Sequence, residues 1–75
     1  MNDNRRIRLK ESCSMLQTAM GMIRLVEEEE QDSIDNIPEN LQNSELCIKM
    51  ESTIETLEEA VEDVERAIIG VNSVL

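Results

Sequence analysis

The feature that most constrains this chain is the spacing of its apolar residues. Within residues 9–26, and again within residues 46–75, apolar side chains recur at steps of three and four residues. A repeat of this kind places one apolar stripe along each of two helices, as in a coiled coil. The pattern therefore predicts an all-α fold in which two helices pack along these stripes.

The segment between the two stripes interrupts the helical pattern. Pro38 disfavours helical geometry at Ile37, and Asn43 or Ser44 can cap a second helix. We predict one domain over residues 1–75, with helix 1 at about 4–34, a loop at 35–43 and helix 2 at about 44–72. The expected fold is an antiparallel, coiled-coil-like helix–loop–helix hairpin.

The stripes also predict a register. If the chain reverses near residue 40, residues whose numbers sum to about 80 face each other, so that Leu16 meets Val64 and Cys13 meets Ala67 or Ile68. Val26 and Cys47 continue the stripes. The predicted hairpin seam consists of Leu9, Leu16, Met20, Ile23, Met50, Ile54, Leu57, Val61, Val64, Ile68 and Val71.

One carboxylate falls within this pattern. The register puts Glu30 at a seam position opposite Met50. Two interpretations are open: the hairpin splays near its loop and Glu30 contacts water, or Glu30 pairs with Lys49.

The apolar surface is wider than one groove requires. Met15 and Met22 extend the stripe of helix 1, while Ile48, Ile69 and Val74 extend that of helix 2. Two hairpins packed face to face would bury both extensions, so we expect a homodimer that completes a four-helix bundle. The alternatives are a monomeric hairpin and a hairpin completed by a different protein.

Composition narrows the function classes. The chain has no histidine and no aromatic residue, and it carries a net charge of −10. Histidine is the commonest general base and transition-metal ligand, aromatic rings stack on nucleic-acid bases, and an acidic body repels phosphate. We therefore expect no enzymatic activity, cofactor or metal, and no direct binding to nucleic acid or membrane. Lacking an apolar segment of signal or membrane-span length, the chain is expected to be cytoplasmic with reduced cysteines.

Helix 2 is strongly acidic outside its stripe. The simplest interpretation is a solvated, solubilising surface. The functional alternative is a surface that imitates a nucleic-acid backbone and binds a basic host protein. The candidate partner surface consists of Met15 and Met22 together with Glu55, Glu58, Glu62 and Glu65.

The loop carries a more specific pattern. The run DNIPENLQNSE at residues 35–45, between an arginine-rich start and two glutamate-rich helices, resembles short helical-hairpin proteins of phages and mobile elements of gut Firmicutes. This resemblance implies an all-α hairpin and a mobile-element origin, and it transfers no site residues. The leading hypothesis is a small self-associating module for protein–protein interaction. The alternative is an acidic nucleic-acid mimic that inhibits a host nuclease or defence system.

Overall fold

The computed structural model describes residues 1–75 and contains only helices. Helix α1 spans Asp3–Asp35 and helix α2 spans Glu45–Asn72. The connection holds one short 3-10 turn at Glu39–Leu41. The two long helices pack against each other, which confirms the predicted all-α hairpin.

Polar side chains determine where the helices begin and end. The Asn2 side-chain oxygen accepts a hydrogen bond from the Arg5 backbone N–H at 2.9 Å, and the Ser44 hydroxyl accepts one from the Cys47 N–H at 3.3 Å. These are ordinary N-caps, which satisfy N–H groups that have no partner within the helix. At the end of α1 the Asn36 side-chain amide donates to the Asp32 carbonyl at 2.8 Å.

The seam between the helices follows an unbroken repeat of three and four residues. All eleven residues of the predicted hairpin seam are buried or half-buried. The repeat extends further along α1 than predicted, because Ile34 is also buried, and Cys47, which continues the predicted stripe of α2, is buried as well. The fully buried set is small: Cys13, Ile34, Cys47, Val61 and Ile68.

One predicted stripe residue, Val26, lies outside the seam, and its neighbour Glu27 lies in it. Val26 is 49% exposed, and Glu27 occupies the next seam position after Ile23. The prediction for Val26 is wrong. The step from Met20 to Ile23 is three residues, so the repeat requires a step of four next, and that step leads from Ile23 to Glu27. Glu30 is half-buried at the following seam position and forms no ion pair with Lys49, so the paired interpretation of Glu30 is also wrong.

The register differs from the predicted one by more than a helical turn. The Cys13 sulfur lies 3.7 Å from the Asn72 side-chain oxygen, so facing residues sum to about 85 and not 80. Asp35 is thus level with about Met50, and the first turn of α2 lies beyond the end of α1, beside the loop. The prediction that Cys13 faces Ala67 or Ile68 is wrong, because the chain does not reverse midway between the helices.

The hairpin is a thin rod of 60 × 15 × 12 Å. Its radius of gyration is 17.4 Å, whereas a compact domain of this length would have about 11 Å. Its accessible surface is 5718 Å², about 1,000 Å² more than a compact protein of the same mass exposes. A single copy therefore leaves much of its apolar surface in water.

Candidate interaction surfaces

One side of the hairpin carries charge on both helices. Arg24 of α1 donates to Glu65 of α2, with Nη2 and Oε1 2.5 Å apart. Glu58 and Glu62 line the same shallow depression. We call this side the charged flank and define it by Arg24, Glu58 and Glu65, each of which directly follows a seam residue.

The seam beside the charged flank contains an unsatisfied carboxylate. The Oε1 atom of Glu27 is buried and has no hydrogen-bond partner. Besides Glu27, the depression is lined by three acidic residues, one cation and one apolar residue: Glu58, Glu62, Glu65, Arg24 and Val61. Burying a polar atom without a partner destabilises a fold, so Glu27 weakens this section of the seam.

On the opposite side of the hairpin, Arg5 begins the row of α1 that borders the seam, and Arg8 and Glu29 lie one row further out. Between these charges lies an uncharged stretch beside the seam. It is formed by residues that directly precede seam residues and recur at intervals of seven, which places them in one row along each helix. We call it the uncharged flank; it consists of Ser12, Ala19, Val26 and Ser33 on α1 and Thr53, Ala60, Ala67 and Val74 on α2. Ala60 is half-buried and the other seven residues are exposed.

The predicted partner methionines border the uncharged flank. Met15 and Met22 are 69% and 67% exposed, and with Ala19 they line a shallow apolar depression on α1. Both residues thus extend the apolar surface on this side of the hairpin.

The predicted apolar extension of α2 does not form one surface. Val74 lies in the uncharged flank, whereas Ile48 and Ile69 share a seven-residue row with Glu55 and Glu62. That row lies on the side of α2 that adjoins the charged flank. Ile48 and Ile69 therefore extend the apolar stripe of α2 on one side of the seam, and Val74 extends it on the other.

The four candidate glutamates differ in how available they are. Glu55, Glu58 and Glu62 are exposed and have no partner within the chain. Glu65 is half-buried and holds Arg24. Three of the four carboxylates are thus free to meet a partner, and the fourth already joins the two helices.

The two cysteines are buried and separate. Cys47 is 1% exposed, and burial raises the pKa of its thiol, as does the Glu51 carboxylate to which the thiol donates at 3.8 Å. Cys13 lies level with Asn72, which is roughly 37 Å along α2 from Cys47 at 1.5 Å per residue. A disulfide between Cys13 and Cys47 within one hairpin is excluded by this distance.

The uncharged flank was missed in the sequence because small residues give little hydrophobic signal. Ala, Ser and Thr do not stand out in a search for apolar spacing, although here they recur every seven residues on both helices. A search for rows without charge would have found them.

Comparison of this chain with protein-family models, curated proteins and solved structures finds no match. Any function is therefore inferred from the geometry of these surfaces. Neither helix combines the length and apolar character needed to cross a membrane. No group of three or more Cys, Asp or Glu side chains is arranged to hold a metal ion.

Proposed function

We propose that this protein is a small self-associating helical module, in which two hairpins form a four-helix bundle whose remaining surface binds another protein. The observation that carries the proposal is the thinness of the single hairpin, with 5 of 75 residues buried. A chain of this size needs additional buried surface to offset the entropy of ordering it.

The surface area supports a dimer quantitatively. Two separate hairpins expose twice 5718 Å², whereas a compact protein of their combined mass exposes about 7,800 Å². Reaching that compactness would bury about 3,600 Å² in total, which is within the range of obligate homodimers. Residues that are half-buried in one copy would then become core.

Sedimentation or light scattering tests this proposal directly. At tens of micromolar the measured mass should be twice the chain mass of 8.6 kDa, and dilution should lower both the mass and the helical content together. A monomer that unfolds cooperatively, at a midpoint that does not depend on concentration, would contradict the proposal.

The exposed carboxylates favour a second candidate function, the acidic mimic. Helix α2 has eight carboxylates over 28 residues, or one per roughly 5 Å of helix axis. A DNA strand has one phosphate per about 3.4 Å. The helix thus carries negative charge at a lower average density, which a basic host protein could bind, and the resemblance to phage and mobile-element proteins fits an inhibitor of a nuclease or defence system.

The free carboxylates provide the test of this alternative. Replacing Glu55, Glu58 and Glu62 by Gln should abolish binding to a captured basic partner, and binding of the unmodified protein should weaken steeply with salt. The matched control removes three charges from α1 through Glu28→Gln, Glu29→Gln and Asp32→Asn. Equal loss in both variants would indicate a net-charge effect and would count against a mimic surface.

The proposed role is binding without catalysis in a reducing, cytoplasmic environment. Two unpaired thiols, each buried in the seam, support that location, since oxidising compartments favour paired cysteines.

A further inference from the structure

The uncharged flank has polar atoms that are already satisfied. The Ser12, Ser33 and Thr53 hydroxyls donate to carbonyls one turn earlier in their own helices, at 3.0, 3.1 and 3.0 Å. Burying such a hydroxyl under a partner leaves no donor without an acceptor. The remaining residues of the flank are Ala and Val, so the whole surface can be covered without adding hydrogen bonds.

The charged flank lacks this property. Covering it would remove water from Arg24 and Glu65, whose side chains are 51% and 45% exposed, and from the unpaired Glu58. Desolvating charges is costly unless each one is paired. A second hairpin therefore packs at lower cost on the uncharged flank, where Met15 and Met22 add apolar contact area.

Charge along the rod determines the orientation of that second hairpin. Near the loop, residues 21–64 carry fourteen carboxylates against two cations, a net of −12. The other half, residues 1–20 and 65–75, carries three carboxylates against five cations, a net of +2. Since salt screens exposed charges beyond about 8 Å, only halves that lie side by side in a dimer interact strongly.

We propose that the occupant of the uncharged flank is a second copy of this chain, docked antiparallel so that the two loops lie at opposite ends of the bundle. This inference rests on the self-association proposed above and adds its surface and its orientation. Antiparallel docking sets each half of net −12 beside a half of net +2. Parallel docking would set the two halves of net −12 side by side. The two-fold axis then crosses the middle of the rod, close to Ala19.

The surface is tested by one added charge placed on either side of the same helix. Ala19→Glu puts a carboxylate in the uncharged flank, and Gln17→Glu puts one on the opposite side, where Gln17 is exposed. We expect Ala19→Glu to weaken dimerisation at least 100-fold and Gln17→Glu to change it less than three-fold, as measured by sedimentation equilibrium. Similar effects of the two substitutions would overturn the assignment of the surface.

The orientation is tested by distances between spin labels. Labels are attached to single cysteines, Asn40→Cys at the loop or Gln17→Cys near mid-rod, in a chain with Cys13→Ala and Cys47→Ala whose dimer is verified by sedimentation. Antiparallel docking predicts a loop-to-loop distance near the 60 Å length of the hairpin. The mid-rod labels should lie roughly 20–25 Å apart, about two helix diameters.

The outcomes separate this inference from the function on which it rests. Short distances for both label positions would show a dimer that is parallel, which overturns the orientation and leaves self-association intact. A measured mass equal to that of a single chain, with no coupling between spin labels at either position, would overturn both proposals.

Discussion

Arg24 and Glu65 form the only ion pair that joins the two helices, across 41 residues of sequence. Both side chains are about half exposed. Water therefore screens their attraction, and a pair of this kind contributes about 0–1 kcal/mol. The pair marks one side of the hairpin without holding the fold together.

Removing this ion pair should accordingly have a small effect. We expect Arg24→Gln, Glu65→Gln and the double variant each to lower the free energy of unfolding by less than about 1 kcal/mol. Urea unfolding at one fixed protein concentration measures this, since concentration itself shifts the midpoint of an associating protein. The coupling energy from the double-mutant cycle should vanish at high salt, and a coupling above 2 kcal/mol that persists there would contradict the screened pair.

Replacing Glu27 by Leu should stabilise the protein. The substitution removes a buried carboxylate oxygen that has no partner and fills a seam position with apolar atoms. We expect a gain of about 1–2 kcal/mol in unfolding free energy, measured by thermal or urea denaturation. The control is Glu28→Leu on the exposed face, where no gain is expected. A loss of stability with Glu27→Leu would show that the Glu27 carboxylate makes a stabilising contact in the folded protein.

The register can be captured by a disulfide. Asn72→Cys places a second thiol beside Cys13, whose sulfur already lies 3.7 Å from the Asn72 side chain. Under mild oxidation this variant should form a bridge within one chain, detected by mass under non-reducing conditions. Ala67→Cys, which the register of sum 80 would place opposite Cys13, should form none. Bridging in the Ala67 variant alone would restore the register that the sequence suggested.

Ionisation of the Cys47 thiol should make the free energy of unfolding depend on pH in the alkaline range. Its folded-state pKa is raised above the reference value of 9.0 by burial and by Glu51. The neutral thiol therefore stabilises the fold fully below that pH, and this contribution is lost as the pH rises through the folded-state pKa.

Comparing the unmodified protein with Cys47→Ala isolates this effect. Between about pH 8 and about pH 10 the unmodified protein should lose more stability than the variant does, because only the former must bury a group that ionises. Denaturation midpoints at both pH values provide the measurement. Parallel losses in the two proteins would assign the pH dependence to other groups.

Periodicity predicted the packing face of each helix, because a strict repeat of three and four leaves one stripe that can be buried. It failed at Val26, where side-chain character suggested one residue and the phase of the repeat selected Glu27. The position seven residues after Met20 is Glu27, so a strict seven-residue repeat predicts a carboxylate in the seam.

The register could not be read from the helices alone. It depends on the path of residues 36–44, which continue along the rod so that α2 begins beyond the end of α1. Ile37 is half-buried in this connection, and Cys47 is buried although the register places it beyond the end of α1. A loop of nine residues with one proline permits several such paths, and the local sequence does not select among them.

The 12 Å thickness of the hairpin has a consequence for the living cell. A hairpin about one helix thick buries few side chains by itself. With the proposed dimer, the concentration of the chain would therefore determine the fraction of the protein that is folded. Protease attack on open chains would then clear the protein at low expression and spare it at high expression. Its lifetime would rise with its own abundance, giving a threshold that requires no dedicated regulator.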